Sequence, residues 1–311
     1  MELGIVGLGK MGGNLALNAI DNKIRIVGKD VSPKPKLTKK GVKVVSDFKT
    51  FSDSLKNPRV IYLSLPAGPV IDKVLNELLP YLDCGDIVMD GGNSYFRDSS
   101  RREKEIFEKG IFFLDCGTSG GMKGARNGAC FMVGGKPEGF KIAEPILKTL
   151  AVEGGLIYTG EPGSGHFVKL VHNGIEFGML QSIGEGVALL EGSEYKLNLQ
   201  EIFHNWSNGS VIRGWLVELM EKGLGEKKNI HEIPDYVEDT GEVNWLVHEA
   251  VEKEIPIPVI TQSVIELFRS RGKESISSEA VALIRHGFGG HPFGRDDYIS
   301  KERKTSRIYK I

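Results

Sequence analysis

The chain has 311 residues, 40% hydrophobic and 26% charged, which is ordinary globular composition and long enough for two domains. Forty lysines and arginines against 41 acids give a net charge of -1, so nothing favours nucleic acid or an anionic membrane as partner, and any bound anion must be met locally. Cys84, Cys116 and Cys130 show no C-x-x-C pairing, no apolar run reaches the roughly 18–20 residues of a membrane span, and Glu2 opens a strand-like amino terminus; a reduced, cytoplasmic protein without metal site or disulfides is expected.

In chain order, the segments 2–7, 23–30, 59–65, 85–90 and 110–115 read as strands, several apolar on both faces as parallel strands are. Helical stretches lie between them, so the pattern predicts a doubly wound parallel sheet with right-handed crossovers. Further short strands are expected at 129–133 and 156–158, around a helical stretch at 137–149. After the turn-rich "TGEPGSGH" (159–166) strands give way to long helical patterns, from about 164 to 192 and on to about 286. The expected organisation is therefore an α/β Rossmann-like domain, 1–162, followed by an all-helical domain, 163–311. A glycine- and histidine-rich segment (285–297) and a basic tail close the chain.

The first strand runs into "GIVGLGKMGGN" (4–14), where Gly7, Gly9 and Gly12 have the G-x-G-x-x-G spacing and a helix follows. Gly7 permits the tight turn, Gly9 lets a pyrophosphate approach the backbone, and Gly12 allows close helix packing. Amides at the helix start meet the anion, so Leu8, Lys10 and Met11 belong to the same cofactor loop. The second strand ends at Asp30, placed to accept hydrogen bonds from the adenosine ribose and to repel a 2′-phosphate. NAD is the expected cofactor, with NADP a weaker second because Lys29, Lys34 and Lys36 lie close by.

Two further segments, "SLPAG" (64–68) and "DGGNS" (90–94), fall at carboxyl ends of strands, where open α/β sheets bind ligands. "TSGGMKGARNGA" (118–129) offers small residues and backbone amides suited to a carboxylate or hydroxyls. "KLVHNGIEFG" (169–178) is written like a buried helix, yet Lys169, His172, Asn173 and Glu176 fall at about 0°, 300°, 40° and 340°, one sector of about 100°. A lysine and a glutamate seven residues apart are too distant for an i, i+4 pair, so the stripe is either a solvated face or the lining of a polar pocket, and the surrounding motifs favour the pocket.

These motifs resemble the decarboxylating 6-phosphogluconate dehydrogenases, in the order "GLGKMGGN", "DGGNS", "SGGMKGARNGACFMVGG", "GSGHFVKLVHNGIEFG", "RHGFGGH", and the match extends to about residue 293. The length is similar to the family's short form. The resemblance implies oxidation at C3 of 6-phosphogluconate, with the nicotinamide taking the hydride, then loss of C1 as carbon dioxide to give ribulose 5-phosphate. It makes Lys169 the base at the C3 hydroxyl and Glu176 the proton donor to the enediol. His172, Asn173, Asn93, Ser119, Gly120 and Gly121 would hold substrate, while Leu65, Pro66 and Ala67, with Met11 and Asn93, would lie near the cofactor. Arg285 and His291 would reach the phosphate of a substrate held by a neighbouring subunit, implying a homodimer or homotetramer. No metal is implied.

On chemical grounds, a lysine base must begin neutral, and a glutamate in an apolar surround of Ile175, Phe177 and Met179 would be raised in pKa and able to carry a proton. Phe177 stands where the family commonly has tyrosine, and Asn244 where it usually has a basic residue; each removes one phosphate contact. Arg269 and Arg271 are weaker candidates for that work. The other readings are a β-hydroxyacid dehydrogenase of the 3-hydroxyisobutyrate type, which "HNGIE" and "FGGH" argue against, and a non-catalytic dinucleotide sensor, which an intact acid and base argue against.

Overall fold

A computed structural model describes residues 1–227, 230–271 and 276–306. The basic tail beyond 306 lies outside the described residues. The chain divides into two compact units, Met1–Leu170 and Val171–Ile311.

In the first unit the elements run β1 Glu2–Val6, α1 Lys10–Asp21, β2 Arg25–Lys29, α2 Pro35–Thr38, β3 Lys43–Val45, α3 Phe48–Asp53, β4 Val60–Leu63, α4 Pro69–Leu78. They continue as β5 Ile87–Asp90, α5 Phe96–Phe107, β6 Phe112–Ser119, α6 Gly121–Asn127, β7 Ala129–Gly134, α7 Pro137–Leu150, β8 Ala151–Gly160. The strands form one sheet in the order β3-β2-β1-β4-β5-β6-β7-β8. All neighbours are parallel except β6 and β7, which are antiparallel. The order reverses on either side of β1, and the crevice outside the strand carboxyl ends at that switch is where ligands of such sheets bind.

Both faces are covered, which is why the central strands are apolar throughout. Leu15, Ala16 and Ala19 of α1, with Ala143, Ile146 and Leu147 of α7, pack against Leu3, Ile5, Ile26 and Met89 on one face. Phe51 of α3, Ile71 and Leu75 of α4 and Ile106 of α5 pack against Val27, Ile61, Leu63 and Val88 on the other. The three-residue β3 has no counterpart among the expected strands, being too short for an alternation to register.

α8, Ser164–Glu191, crosses from the first unit into the second. The second unit continues as α9 Leu199–Ser207, α10 Trp215–Glu226, α11 Val243–Glu252, α12 Pro258–Ser270, α13 Ile276–Gly289 and α14 Asp297–Ser306, with no strand among its described residues. Its helices approach closely through glycines: a Cβ on Gly174 would lie 2.4 Å from Leu246 of α11, and one on Gly223 of α10 2.6 Å from Leu283 of α13. The glycine- and histidine-rich segment at 285–297 begins as helix, because α13 runs through Arg285 to Gly289.

Candidate active site

The glycine loop divides its work as its spacing predicts. Gly7 has φ +91 and a Cβ there would meet the Ser64 carbonyl at 2.3 Å, while one on Gly12 would meet the Gly7 carbonyl at 2.0 Å. A Cβ on Gly9 would meet nothing within 4 Å, so this residue faces open space above the strand ends, as a cradle for a pyrophosphate requires. Lys10 is exposed and Met11 half-buried at the start of α1, and Leu8 is buried. Asp30 Oδ2 accepts the Leu8 N–H at 2.7 Å, Oδ1 accepts the Ser32 N–H at 2.9 Å, and Lys34 Nζ lies 3.3 Å away. Burial pushes this carboxyl up, but the two amides and the Lys34 ammonium outweigh it and hold Asp30 below the ordinary aspartate range. It is an ionised acceptor tied directly to the glycine loop, and these residues fit a dinucleotide.

Along the adjacent strand ends, Leu65 and Pro66 are half-buried and Ala67 is buried after β4. The "DGGNS" turn after β5 is built on Asp90, wholly buried, whose Oδ1 accepts the Gly92 N–H at 3.1 Å and Oδ2 the Ser94 hydroxyl at 2.6 Å. Arg102 of α5, 1% exposed, balances that charge at 3.6 Å. Asn93 is left exposed at the tip of a turn whose base is fixed. Ser119 ends β6, and Gly120 and Gly121 follow with φ +106 and +59, a left-handed pair that side chains rarely adopt.

The start of α8 is set by β6. Asp115 Oδ1 accepts the Gly163 N–H at 2.7 Å and Oδ2 the His166 N–H at 2.8 Å, so an acid 48 residues earlier does the work of a helix cap and meets the positive end of the dipole. His166, 2% exposed, joins Ser99 through Nδ1 at 2.7 Å and the Asp90 carbonyl through Nε2 at 3.0 Å. Lys169 then lies directly on the sheet: a Cβ on Gly117 would stand 2.5 Å from Lys169 Cβ. The lysine is 7% exposed, the desolvation that a neutral amine needs.

In the second unit Asn173 is 4% exposed, and its Nδ2 donates to Glu242 Oε1 at 3.4 Å. Thr240 hydrogen-bonds Glu242, and His172 Nδ1 lies 3.2 Å from Asn173 Oδ1. Glu176 is half-buried. Of the three apolar residues expected to surround it, Ile175 and Met179 are 54% and 51% exposed, because they point about 60–100° away from the glutamate on the helix, and Phe177 is buried. Arg285, 4% exposed, places its guanidinium carbon 5.0 Å from the ring centre of Phe177. Arg285 lies in the last turns of α13, where the helix runs on to Gly289. His291 is half-buried with its ring against Phe288, and its carbonyl lies 2.9 Å from His286 Nδ1. Arg271 is engaged by Asp239 at 2.5 Å, Arg269 pairs with Glu266, and Asn244 opens the first turn of α11.

Sequence reasoning missed Arg102, Asp115, His166 and Glu242. Each is a buried polar residue whose partner is distant in the chain; Asp90 and Asp115, each closing an apolar strand, were the visible signals.

Two family models cover the chain: the NAD binding domain of 6-phosphogluconate dehydrogenase over residues 2–160, and the 6-phosphogluconate dehydrogenase C-terminal domain over 165–302. YqeC of Bacillus subtilis (strain 168), whose 6-phosphogluconate dehydrogenase name is provisional, is 41% identical over 293 residues, 94% of this chain and 98% of its own. The NAD(+)-dependent, decarboxylating 6-phosphogluconate dehydrogenase of Haloferax volcanii is 38% identical over 301 residues, 96% of this chain and 100% of its own. Among solved structures, the Plasmodium falciparum 6-phosphogluconate dehydrogenase superposes with a TM-score of 0.80 at 30% identity over 87% of this chain, which spans 62% of that longer protein. A 3-hydroxyisobutyrate dehydrogenase of Salmonella typhimurium shares the fold, with a TM-score of 0.74 at 18% identity over 91% of this chain and 99% of its own. On both family models together, the chain belongs to the 6-phosphogluconate dehydrogenase family.

Proposed function

We propose that the protein oxidises and decarboxylates 6-phosphogluconate to ribulose 5-phosphate and carbon dioxide with NAD as preferred acceptor. Residues 1–162 act as the cofactor domain and 163–311 as the substrate-binding and dimerisation domain. The observation that carries this reading is the polar face of α8, with Lys169 buried against β6 and Asn173 held by Glu242. NAD, when bound, accepts the hydride from C3. Gly7 to Gly12 hold its pyrophosphate, Asp30 its ribose hydroxyls, and Leu65, Pro66, Ala67 and Asn93 flank its reactive end. An acid at residue 30, already fed by two amides, accepts a ribose diol and repels a 2′-phosphate, which favours NAD.

Lys169 takes the C3 hydroxyl proton, which requires that it start neutral. Once protonated, it donates to the C3 carbonyl and draws electron density there, so the carbon–carbon bond to C1 can break heterolytically with the electrons held on an enediol. Glu176 returns a proton to carbon. Asn173, His172, Asn93 and the Ser119–Gly120–Gly121 turn orient the substrate's hydroxyls and carboxylate, and Arg285 and His291 meet its phosphate. Two or four copies assemble in the cytoplasm; light scattering of the purified protein measures the number. No described helix is long and apolar enough to cross a membrane.

Lys169→Met tests the assignment. Turnover of 6-phosphogluconate, read as both NADH formation and carbon dioxide release, should fall by at least about 10⁴-fold while the Kd for NAD stays within about twofold. Turnover within about tenfold of the parent enzyme would overturn the role of Lys169.

A further inference from the structure

Among the buried polar residues that the sequence did not reveal, Glu242 has the most one-sided chemistry. It is 7% exposed and holds the N-cap position of α11, yet its carboxylate makes no cap hydrogen bond there. Instead Oε1 accepts the Asn173 Nδ2–H at 3.4 Å, and Oε2 accepts the Thr240 hydroxyl. The turn that carries it is anchored as well: Asp239 Oδ2 accepts the Gly241 N–H at 3.2 Å, while Oδ1 pairs with Arg271 at 2.5 Å. Gly174, next to Asn173, has no side chain to hold α11 away, since a Cβ there would stand 2.4 Å from Leu246. The bare helix crossing is what brings Glu242 within reach of Asn173.

A carboxylate offers lone pairs and no hydrogen, so it is the amide nitrogen of Asn173 that faces it. With Nδ2 turned to Glu242, Asn173 presents Oδ1 to His172, whose Nδ1 lies 3.2 Å away. Oδ1 can only accept, so Nδ1 carries a hydrogen. In a neutral imidazole one nitrogen donates and the other accepts, and the bond made at one sets the state of the other. His172 is half-buried, and its Nε2 is then the acceptor nitrogen. The direction of the relay from His172 through Asn173 to Glu242 is set at its acid end.

We propose that Glu242 is a positioning residue: acting through Asn173, it fixes His172 as the Nδ1–H tautomer, so that Nε2 accepts a hydrogen bond from a hydroxyl of the substrate. This deepens the proposed function and rests on it for the identity of the substrate. An acceptor nitrogen favours a hydroxyl at that place over a carbonyl oxygen, which has no hydrogen to give.

The test is nitrogen-15 NMR of protein carrying ring-labelled histidine, at a pH of about 8, above the ordinary histidine pKa of about 6.5. His172 is assigned by the signals missing from His172→Gln. A hydrogen-bearing Nδ1 and a bare Nε2 are expected in the parent protein, and the opposite tautomer would overturn the proposal with no variant needed. In Glu242→Ala the Asn173 amide is released, and the His172 population should move toward Nε2–H. There kcat/KM for 6-phosphogluconate should fall about tenfold or more while the Kd for NAD stays within about twofold. A merely structural glutamate would leave the tautomer alone, so an unchanged His172 spectrum, or an unchanged kcat/KM, would overturn the proposal.

A double variant separates the relay from a direct effect. If Glu242 acts through Asn173, adding Glu242→Ala to Asn173→Ala leaves the His172 tautomer ratio where the single variant put it, and a further change would overturn the relay. The spectra need no turnover. A parent protein with the expected tautomer but no activity on 6-phosphogluconate would overturn the proposed function and leave the hold of Glu242 on His172 standing.

Discussion

The two ends of the polar stripe of α8 are held very differently. Lys169 sits in the first turns of α8, where Asp115 caps the helix, His166 ties it to β5, and Gly117 lets its backbone lie against the sheet. Glu176, two turns on, is half-buried on a stretch whose neighbours Ile175 and Met179 face outward. The proposed base is thus seated on the sheet and cannot shift without moving strands, whereas the proposed acid lies two turns further along α8. Oxidation needs the amine within hydrogen-bond reach of one hydroxyl of an open-chain substrate, a placement that the protein must hold.

The comparison can be broken at either end. The largest effect is expected from Glu176→Gln, which keeps the shape and removes the proton: kcat should drop by about 10²–10⁴-fold with NAD affinity unchanged. Solvent-isotope incorporation into the product distinguishes lost protonation from lost oxidation, and a variant that still fixes one solvent hydrogen stereospecifically at normal rate would show that another group is the donor. Next comes Gly117→Ala. Its methyl must displace Lys169 or a strand, and a shift of about 1 Å at the base should lower kcat by about 100-fold while the fold persists. The matching change under the far end, Gly178→Ala, meets only Val259 at 3.4 Å and should cost less than about threefold in kcat. If the two alanine variants proved equal, the sheet would not be what fixes the base.

The smallest effect concerns the cofactor loop. Asp30 is held below its ordinary pKa, so its ionised form stabilises the fold at neutral pH, and that contribution fades as pH falls from about 4 through the lower folded value. Asp30→Asn should therefore cost about 1 kcal/mol or less by urea unfolding at pH 7, with the difference from the parent shrinking in acid. A loss that stayed constant down to pH 3 would point to packing rather than charge.

Much of this was legible in the sequence where one local pattern dictates one local structure. The glycine loop, the apolar parallel strands and the polar stripe of α8 each carry their reason within a dozen residues. Other features depend on pairs that composition cannot link. Phe177 and Arg285 are 108 positions apart, and Asp90 and His166 are 76 apart. The antiparallel β7 was readable as a strand but not in direction, since an apolar run looks alike either way. The surround of Glu176 was misread because sequence neighbours on a helix point to different sides. Among the described residues, the glycines at 287 and 289 did not end α13, since buried contacts outweigh their weak helical preference.

In the β5–β6 ladder, Asp90 lies directly opposite Asp115. One aspartate supports the turn that presents Asn93; the other seats the helix that presents Lys169. The offset between those two elements is therefore quantised: it changes only in steps of whole residues along a strand, about 3.3 Å each, and cannot be tuned by small drift. For anyone reshaping this chain toward a longer or shorter sugar acid, the spacing between the Asn93 turn and Lys169 is a constant of the scaffold. The adjustable dimension lies beyond Leu170, where among the described residues helices and not strands set the distances.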